Sequence, residues 1–174
     1  QLSVSFEVDP NVNIGDYSQD IHLLTDFGFP EKLTIDLKVR EDEPNWTVNP
    51  ADYDYSMNII GYLEIKDVVS TSEEDILAAF VDDECRGVAH LQYMPALDRY
   101  LVFLDVYSNA TNGEDVSFKI WDASSGINFT EVLPGIIPFV ENDVIGTVNA
   151  PQLFETDYEI AVDVPLVAGW NWIG

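Results

Sequence analysis

Clustered acids are the residues of this chain whose types and spacing best suit chemistry. Asp52 and Asp54 follow Asn49, and Asp82-Asp83-Glu84 form a second group. Further groups are Glu73-Glu74-Asp75, Asn112 with Glu114 and Asp115, and Glu141-Asn142-Asp143. A hard cation needs several oxygens converging on one point, and loops rich in Asp and Asn provide them. Ca²⁺ is therefore the expected cofactor, with Asp52, Asp54, Asp82 and Asp83 as its first ligands. None of the groups follows the twelve-residue helix-loop-helix spacing. The competing expectation is an acidic surface that only keeps the chain soluble.

Aromatic residues offer a second chemistry. Tyr53 and Tyr55 are two apart, so on an extended chain their rings share one side and could edge a flat platform for sugar rings. Trp46, Tyr62, Trp121, Trp170 and Trp172 add to the supply, although core packing and contact between modules are the simpler uses of Trp. Catalysis finds less support. His22 and His90 are isolated, and there is no His-Glu-x-x-His, Gly-x-Ser-x-Gly or Gly-rich phosphate loop. Pairs of carboxylates could serve a glycosidase, but 32 acids offer pairs by abundance alone. The expectation is a protein that is not an enzyme. Cys85 has no second cysteine to bridge to, so it is expected to be buried and inert, an intermolecular staple being the alternative. Arg86, beside it at a hairpin, is expected to pair with surrounding acids.

The elements that would position these residues are strands. Leu33-Thr34-Ile35-Asp36-Leu37-Lys38-Val39 alternates apolar and polar residues, as a half-buried strand does. Similar segments run at 2–8, 21–25, 57–66, 76–81, 87–93, 100–107, 116–121, 144–148 and 158–164. Between them lie turn sequences such as Asp9-Pro10-Asn11, Asn112-Gly113, Ser124-Ser125-Gly126 and Leu133-Pro134-Gly135. One stretch, Ser72 to Phe80, could instead be a helix capped by Ser72, although Ile76 to Val81 reads equally well as a buried strand. Tyr100 to Tyr107 is apolar on both sides and belongs at the centre of a sheet. The fold expected is all-β, an antiparallel β-sandwich.

Length and charge narrow the uses of such a fold. The chain has 174 residues and a formal net charge of −25, which opposes phosphate backbones and anionic lipid heads. Nucleic acid and membrane insertion are not expected; no run of about 18 apolar residues exists. Charged or Pro-marked breaks at Glu41-Asp42-Glu43-Pro44 and Pro165 divide the chain into 1–40, a linker 41–45, a central sandwich 46–164 and a linking strand 165–174. The start at Gln1 fits a processed or excised piece. Leu166, Val167, Trp170 and Trp172 form an apolar tail expected to contact a neighbouring module or subunit, by strand addition in one version. The sequons at Asn45, Asn109 and Asn128 would matter only in a cell that glycosylates them.

These segments carry a resemblance. Val4-Ser5-Phe6-Glu7-Val8-Asp9-Pro10, Gly15-Asp16-Tyr17 and the strands to Val39 resemble the closing strands of immunoglobulin-like modules in large bacterial surface proteins. Trp46-Thr47-Val48-Asn49-Pro50, Tyr53-Asp54-Tyr55-Ser56-Met57, Ala78-Ala79-Phe80-Val81 and Phe118-Lys119-Ile120-Trp121-Asp122-Ala123 look like a repeat module of secreted multidomain proteins of Bacteroidetes-type bacteria. The resemblance implies an extracellular or cell-surface location and a structural or adhesive module of a fibre or filament, partnered by neighbouring copies or modules. The alternative is a carbohydrate-binding module that tethers a secreted protein to polysaccharide.

Overall fold

A computed structural model describes residues 15–24 and 30–156. The expected strands at 2–8 and 158–164, and the tail residues Leu166, Val167, Trp170 and Trp172, lie outside the described residues.

β1 (Gly15–Leu24) and β2 (Pro30–Val39) pair antiparallel along their whole length, from Gly15 opposite Val39 to Leu24 opposite Pro30. Polar pairs lace this ribbon. Ser18 donates to Asp36 at 2.7 Å, Thr34 donates to Asp20 at 2.8 Å, and Lys32 pairs with Asp20 at 2.8 Å. Cross-strand pairs of this kind help to hold register.

The remaining strands build the expected β-sandwich, antiparallel in most of its pairings. They are β3 (Tyr55–Ile65), β4 (Val68–Val69), β5 (Ile76–Val81), β6 (Glu84–Met94), β7 (Arg99–Ser108), β8 (Asn112–Asp122) and β9 (Ile127–Phe129), then β10 (Val132–Leu133), β11 (Ile136–Val140), β12 (Val144–Ile145) and β13 (Gln152–Thr156). Hydrogen-bonded neighbours follow the order β10-β13-β3-β7-β6-β5-β8-β11, which places β7 in the interior as its doubly apolar sequence requires. β6 serves both layers. Its residues from Leu91 to Met94 pair with β7, and those from Glu84 to His90 pair with β5.

Alternation on β3 sends Met57, Ile59, Leu63 and Ile65 into the core, where they meet Leu77, Leu104, Phe118, Phe139 and Phe154 from the facing elements. All six residues of β5 are buried, so this strand shows no period of two. That burial decides the ambiguous stretch, and no helix forms from Ser72 to Phe80. Ser72 instead caps a turn: its carbonyl accepts from Asp75 N–H at 3.2 Å and its hydroxyl from Glu74 N–H at 3.3 Å. The hairpin joining β5 to β6 turns on Asp82 and Asp83, at φ 49° and 67°. Two left-handed residues match the twist of flanking strands, and Asp tolerates that region better than most residues.

Two buried carboxylates stand where β5 begins and β8 ends. Asp75 accepts from the Ser70 hydroxyl and from Ala123 N–H, the latter at 3.0 Å. Asp122 accepts from the Ser124 and Ser125 hydroxyls at 2.7 and 2.6 Å and from their N–H groups. Burial pushes the Asp75 carboxyl above its usual range despite its hydrogen bonds, with the Asp122 charge adding to the effect. Burial acts on Asp122 in the same direction, but its serine donors outweigh it and hold that group below the usual range. The folded chain therefore binds the Asp75 proton more tightly than the unfolded chain does. This group's stabilising contribution is present in acid and lost as pH rises through the folded-state value. Asp75→Asn keeps an acceptor for Ala123 and removes the charge. The variant is expected to melt at or above the parent's temperature at neutral pH, with the gap closing as pH falls into the carboxylate range. A series of melting curves across that range checks it.

Candidate functional site

The described residues place the first and last strands of the sandwich side by side and parallel. Gln152, Leu153, Phe154 and Glu155 of β13 run alongside Gly61, Tyr62, Leu63 and Glu64 of β3. Val144 and Ile145 of β12 pair in the same sense with Asn58 and Ile59. On its other side β3 is held by a seven-residue antiparallel ladder to β7, from Tyr55 opposite Ser108 to Gly61 opposite Val102.

Glycines make this close packing possible. A Cβ on Gly61 would lie 2.8 Å from the Phe154 ring and 2.9 Å from the Gln152 carbonyl oxygen. One on Gly146 would collide with the Ile60 carbonyl, and its φ of 75° already favours glycine. An isolated glycine inside a strand pattern signals close approach of another backbone, and Gly61 carried that signal in the sequence.

The segment that leads into β3 is fastened to the sandwich before the strand begins. Glu41 N–H donates to the Gly126 carbonyl at 3.0 Å, and the Glu41 carboxylate accepts from Asn128 N–H at 3.2 Å. Arg40 binds back to the ribbon through Asp16 at 2.6 Å and the Val39 carbonyl at 3.1 Å, while its stem lies against Gly126. Trp46 meets Phe80 edge to face at 5.7 Å. Asn109 accepts from Asp54 N–H at 3.0 Å and donates to the Asp52 carbonyl at 3.1 Å.

Comparison with known protein families, curated proteins and solved structures finds no match to this chain.

Arg86 gathers the end of the incoming segment. Its guanidinium is mostly buried, 5.0 Å from the centre of the Tyr53 ring, and pairs with Glu84 at 3.2 Å and Glu114 at 3.6 Å. It also donates to the Tyr107 carbonyl at 3.3 Å. Tyr53 donates its hydroxyl to Glu84 at 2.7 Å and stacks on Tyr107 with centroids 6.2 Å apart. That hydrogen bond keeps the Tyr53 proton in place, pushing its pKa up. The expected pairing of Arg86 with nearby acids is present. Cys85 is half-buried rather than fully buried, its thiol 3.7 Å from the Gly87 carbonyl, and burial raises its pKa.

The expected ligands and platform residues are placed as follows. Asp52 and Asp54 flank Tyr53, and Asp82 and Asp83 occupy the hairpin tip, Asp83 lying 4.0 Å from the Lys119 ammonium. Among the described residues, no group of three or more His, Cys, Asp or Glu is gathered for a metal. Tyr53 packs with Arg86 and Tyr107, whereas Tyr55 packs against the core, so the two do not make one open surface. Trp121 is buried and Trp46 is taken up by Phe80. His90 lies on β6, and β1 carries His22.

Proposed function

We propose that this chain is a non-enzymatic structural module of an extracellular bacterial surface fibre or filament, and that its sandwich transmits tension between neighbouring modules or copies. The observation that carries this reading is the parallel pairing of β3 with β13. The chain enters β3 at Tyr55 and leaves β13 at Thr156, at opposite ends of the shared ladder. Tension along the chain then pulls the two strands in opposite directions along their axes. All hydrogen bonds of the ladder share the load, and none can break alone in sequence. Antiparallel partners pulled from adjacent ends would instead open one bond at a time. Rupture under force is governed by the unfolding rate, which such a geometry lowers.

Single-molecule pulling tests it. With handles on the two termini, the sandwich is expected to rupture at a clearly higher force than with handles at positions 54 and 109, where β3 would peel from β7. Gly61→Val should force β13 off β3, costing about 1–3 kcal/mol of stability as overpacking does and lowering the terminal rupture force. Equal forces in the two geometries, or a Gly61→Val chain that is less stable yet as strong, would overturn the reading.

A further inference from the structure

On the described surface, beside the parallel ladder that Tyr62 of β3 shares with β13, a groove of about 600 Å³ opens among β3, the segment after β4, and the β6–β7 hairpin. That volume falls within the range of about 300–1,000 Å³ in which small-molecule sites occur. Tyr62, Tyr93 and Tyr100 line it, together with Thr71, Asp98 and Arg99. Tyr93 and Tyr100 face each other across the β6–β7 ladder, with ring centroids 5.0 Å apart and planes tilted by 44°.

The surface is fixed before any ligand arrives. Tyr93 is 41% exposed, yet its hydroxyl donates to Asp98 at 2.7 Å and its N–H donates to the Glu73 carboxylate at 3.0 Å. Asp98 is set by a tight turn, at φ 48°. Holding this exposed ring in one orientation lowers the ordering cost of binding. Among the described residues Arg99 makes no ion pair, so its guanidinium is free to donate outward.

The chemistry of the lining selects the ligand. Tyrosine faces suit the flat C–H faces of pyranose rings. Arg99 only donates, the Asp98 carboxylate only accepts, and the Thr71 hydroxyl does both. Vicinal sugar hydroxyls, each donor and acceptor, match that mixture; the carbonyls of a proline-rich peptide would use only the donors. Charge argues for a neutral ligand. A net charge of −25 repels anionic polymers, while Arg99, next to Asp98, opposes a cation at that carboxylate, whose Oδ1 holds the Tyr93 hydroxyl and whose Oδ2 remains to accept from a neutral ligand. We propose that this groove binds a neutral pyranose glycan, with the exposed ring of Tyr93 as the stacking surface, the half-buried Tyr100 backing it from the core side, and Asp98 and Arg99 reading its hydroxyls. The site is distinct from the Tyr53 and Tyr55 pair and stands independently of the tension-bearing role.

The test uses the whole chain, titrated with hexasaccharides of β-linked glucose, mannose, xylose and galactose and, separately, with a decaproline peptide. Tyrosine ring resonances and calorimetry are the readouts. At least one hexasaccharide is expected to bind and to shift the rings of Tyr62, Tyr93 and Tyr100. Tyr93→Ala should weaken that binding by about tenfold or more, and Tyr93→Phe, which keeps the ring, by about threefold or less. Arg99→Ala changes only an exposed side chain and should weaken binding by about three- to tenfold with the amide spectrum unchanged. Four outcomes overturn the proposal: no binding by any of the four sugars, shifts at Tyr53 and Tyr55 instead, affinity unchanged by Tyr93→Ala and Arg99→Ala, or capture of decaproline alone. Each leaves the pulling result untouched.

Discussion

Truncating Phe154 to alanine is expected to cost about 3–5 kcal/mol, a large fraction of the roughly 5–15 kcal/mol that stabilises an ordinary domain. The ring is fully buried on β13 and lies 4.8 Å from Phe118 on β8, so it joins the strand bearing the parallel ladder to the other layer of the sandwich. It also covers Gly61, where there is no side chain to fill the space left behind. The cavity would be bounded largely by strand backbone, which collapses poorly. The denaturation midpoint should drop with its slope unchanged, because the same surface is exposed on unfolding. Phe139→Ala is the informative comparison. Phe139 is equally buried, but it lies on β11, at the other end of the strand order. Its loss should cost similar equilibrium stability and reduce the terminal rupture force less than Phe154→Ala does. If the two variants weaken the chain equally under load, the β3–β13 ladder is not where force is resisted.

Much of this fold could be read from residue order, and the parts that could not share a physical cause. β3, β5, β6, β7 and β8 each span six residues or more and bury a face or both faces, so their apolar pattern is long enough to stand out. β4, β9 and β10 have two or three residues, too few for any period to register. β11 contains Pro138, which reads against a strand, and is tolerated because β11 pairs on one side only, with β8. β13 pairs with β3 in the parallel sense, and nothing local in Gln152-Leu153-Phe154-Glu155-Thr156 encodes that partner. Direction of pairing depends on the path of the chain through β8 to β12. The aromatic groove escaped for a related reason. Tyr93 and Tyr100 are seven apart in sequence and meet only because the β6–β7 turn sets their register.

The ladder and the segment leading into it differ in what fixes them. The ladder between β3 and β13 depends on close approach at Gly61 and Gly146, so it tolerates little added volume at those two positions. The segment leading into β3 depends on polar contacts between loops: Glu41 to Gly126 and Asn128, Asn109 to Asp52 and Asp54, Tyr53 to Glu84. Individually such contacts contribute about 0.5–1.5 kcal/mol. Under load they meet the force first and can be lost before the ladder is strained.

Arg86 is the group that ties that segment to the ladder, and its removal is the second large effect expected. Arg86→Ala should cost about 2–4 kcal/mol, near the lower part of the range for breaking a buried pair, because Glu84 is well exposed and Glu114 partly so. Glu114 already accepts the hydroxyl of the buried Ser108, so it cannot swing away to water without breaking that bond. The Tyr107 carbonyl would lose its side-chain donor and the Tyr53 ring its cation. Arg86 has a cost of its own, since its Nε is buried without a partner. Replacing both charges, as in Arg86→Met with Glu114→Gln, removes that cost and the unpaired carboxylate together. The double variant should therefore recover most of the stability lost in Arg86→Ala, in line with other exchanges of buried ion pairs for neutral side chains. The anchor at Tyr53 is not recovered, because methionine offers neither the cation over the ring nor the link to Glu84. Denaturation and pulling on the same two variants separate these roles. The expected pattern is a double variant close to the parent in stability whose first yielding event, release of the segment before β3, comes at lower force. A double variant that matches the parent in both would reduce Arg86 to an ion pair with no part in the load path.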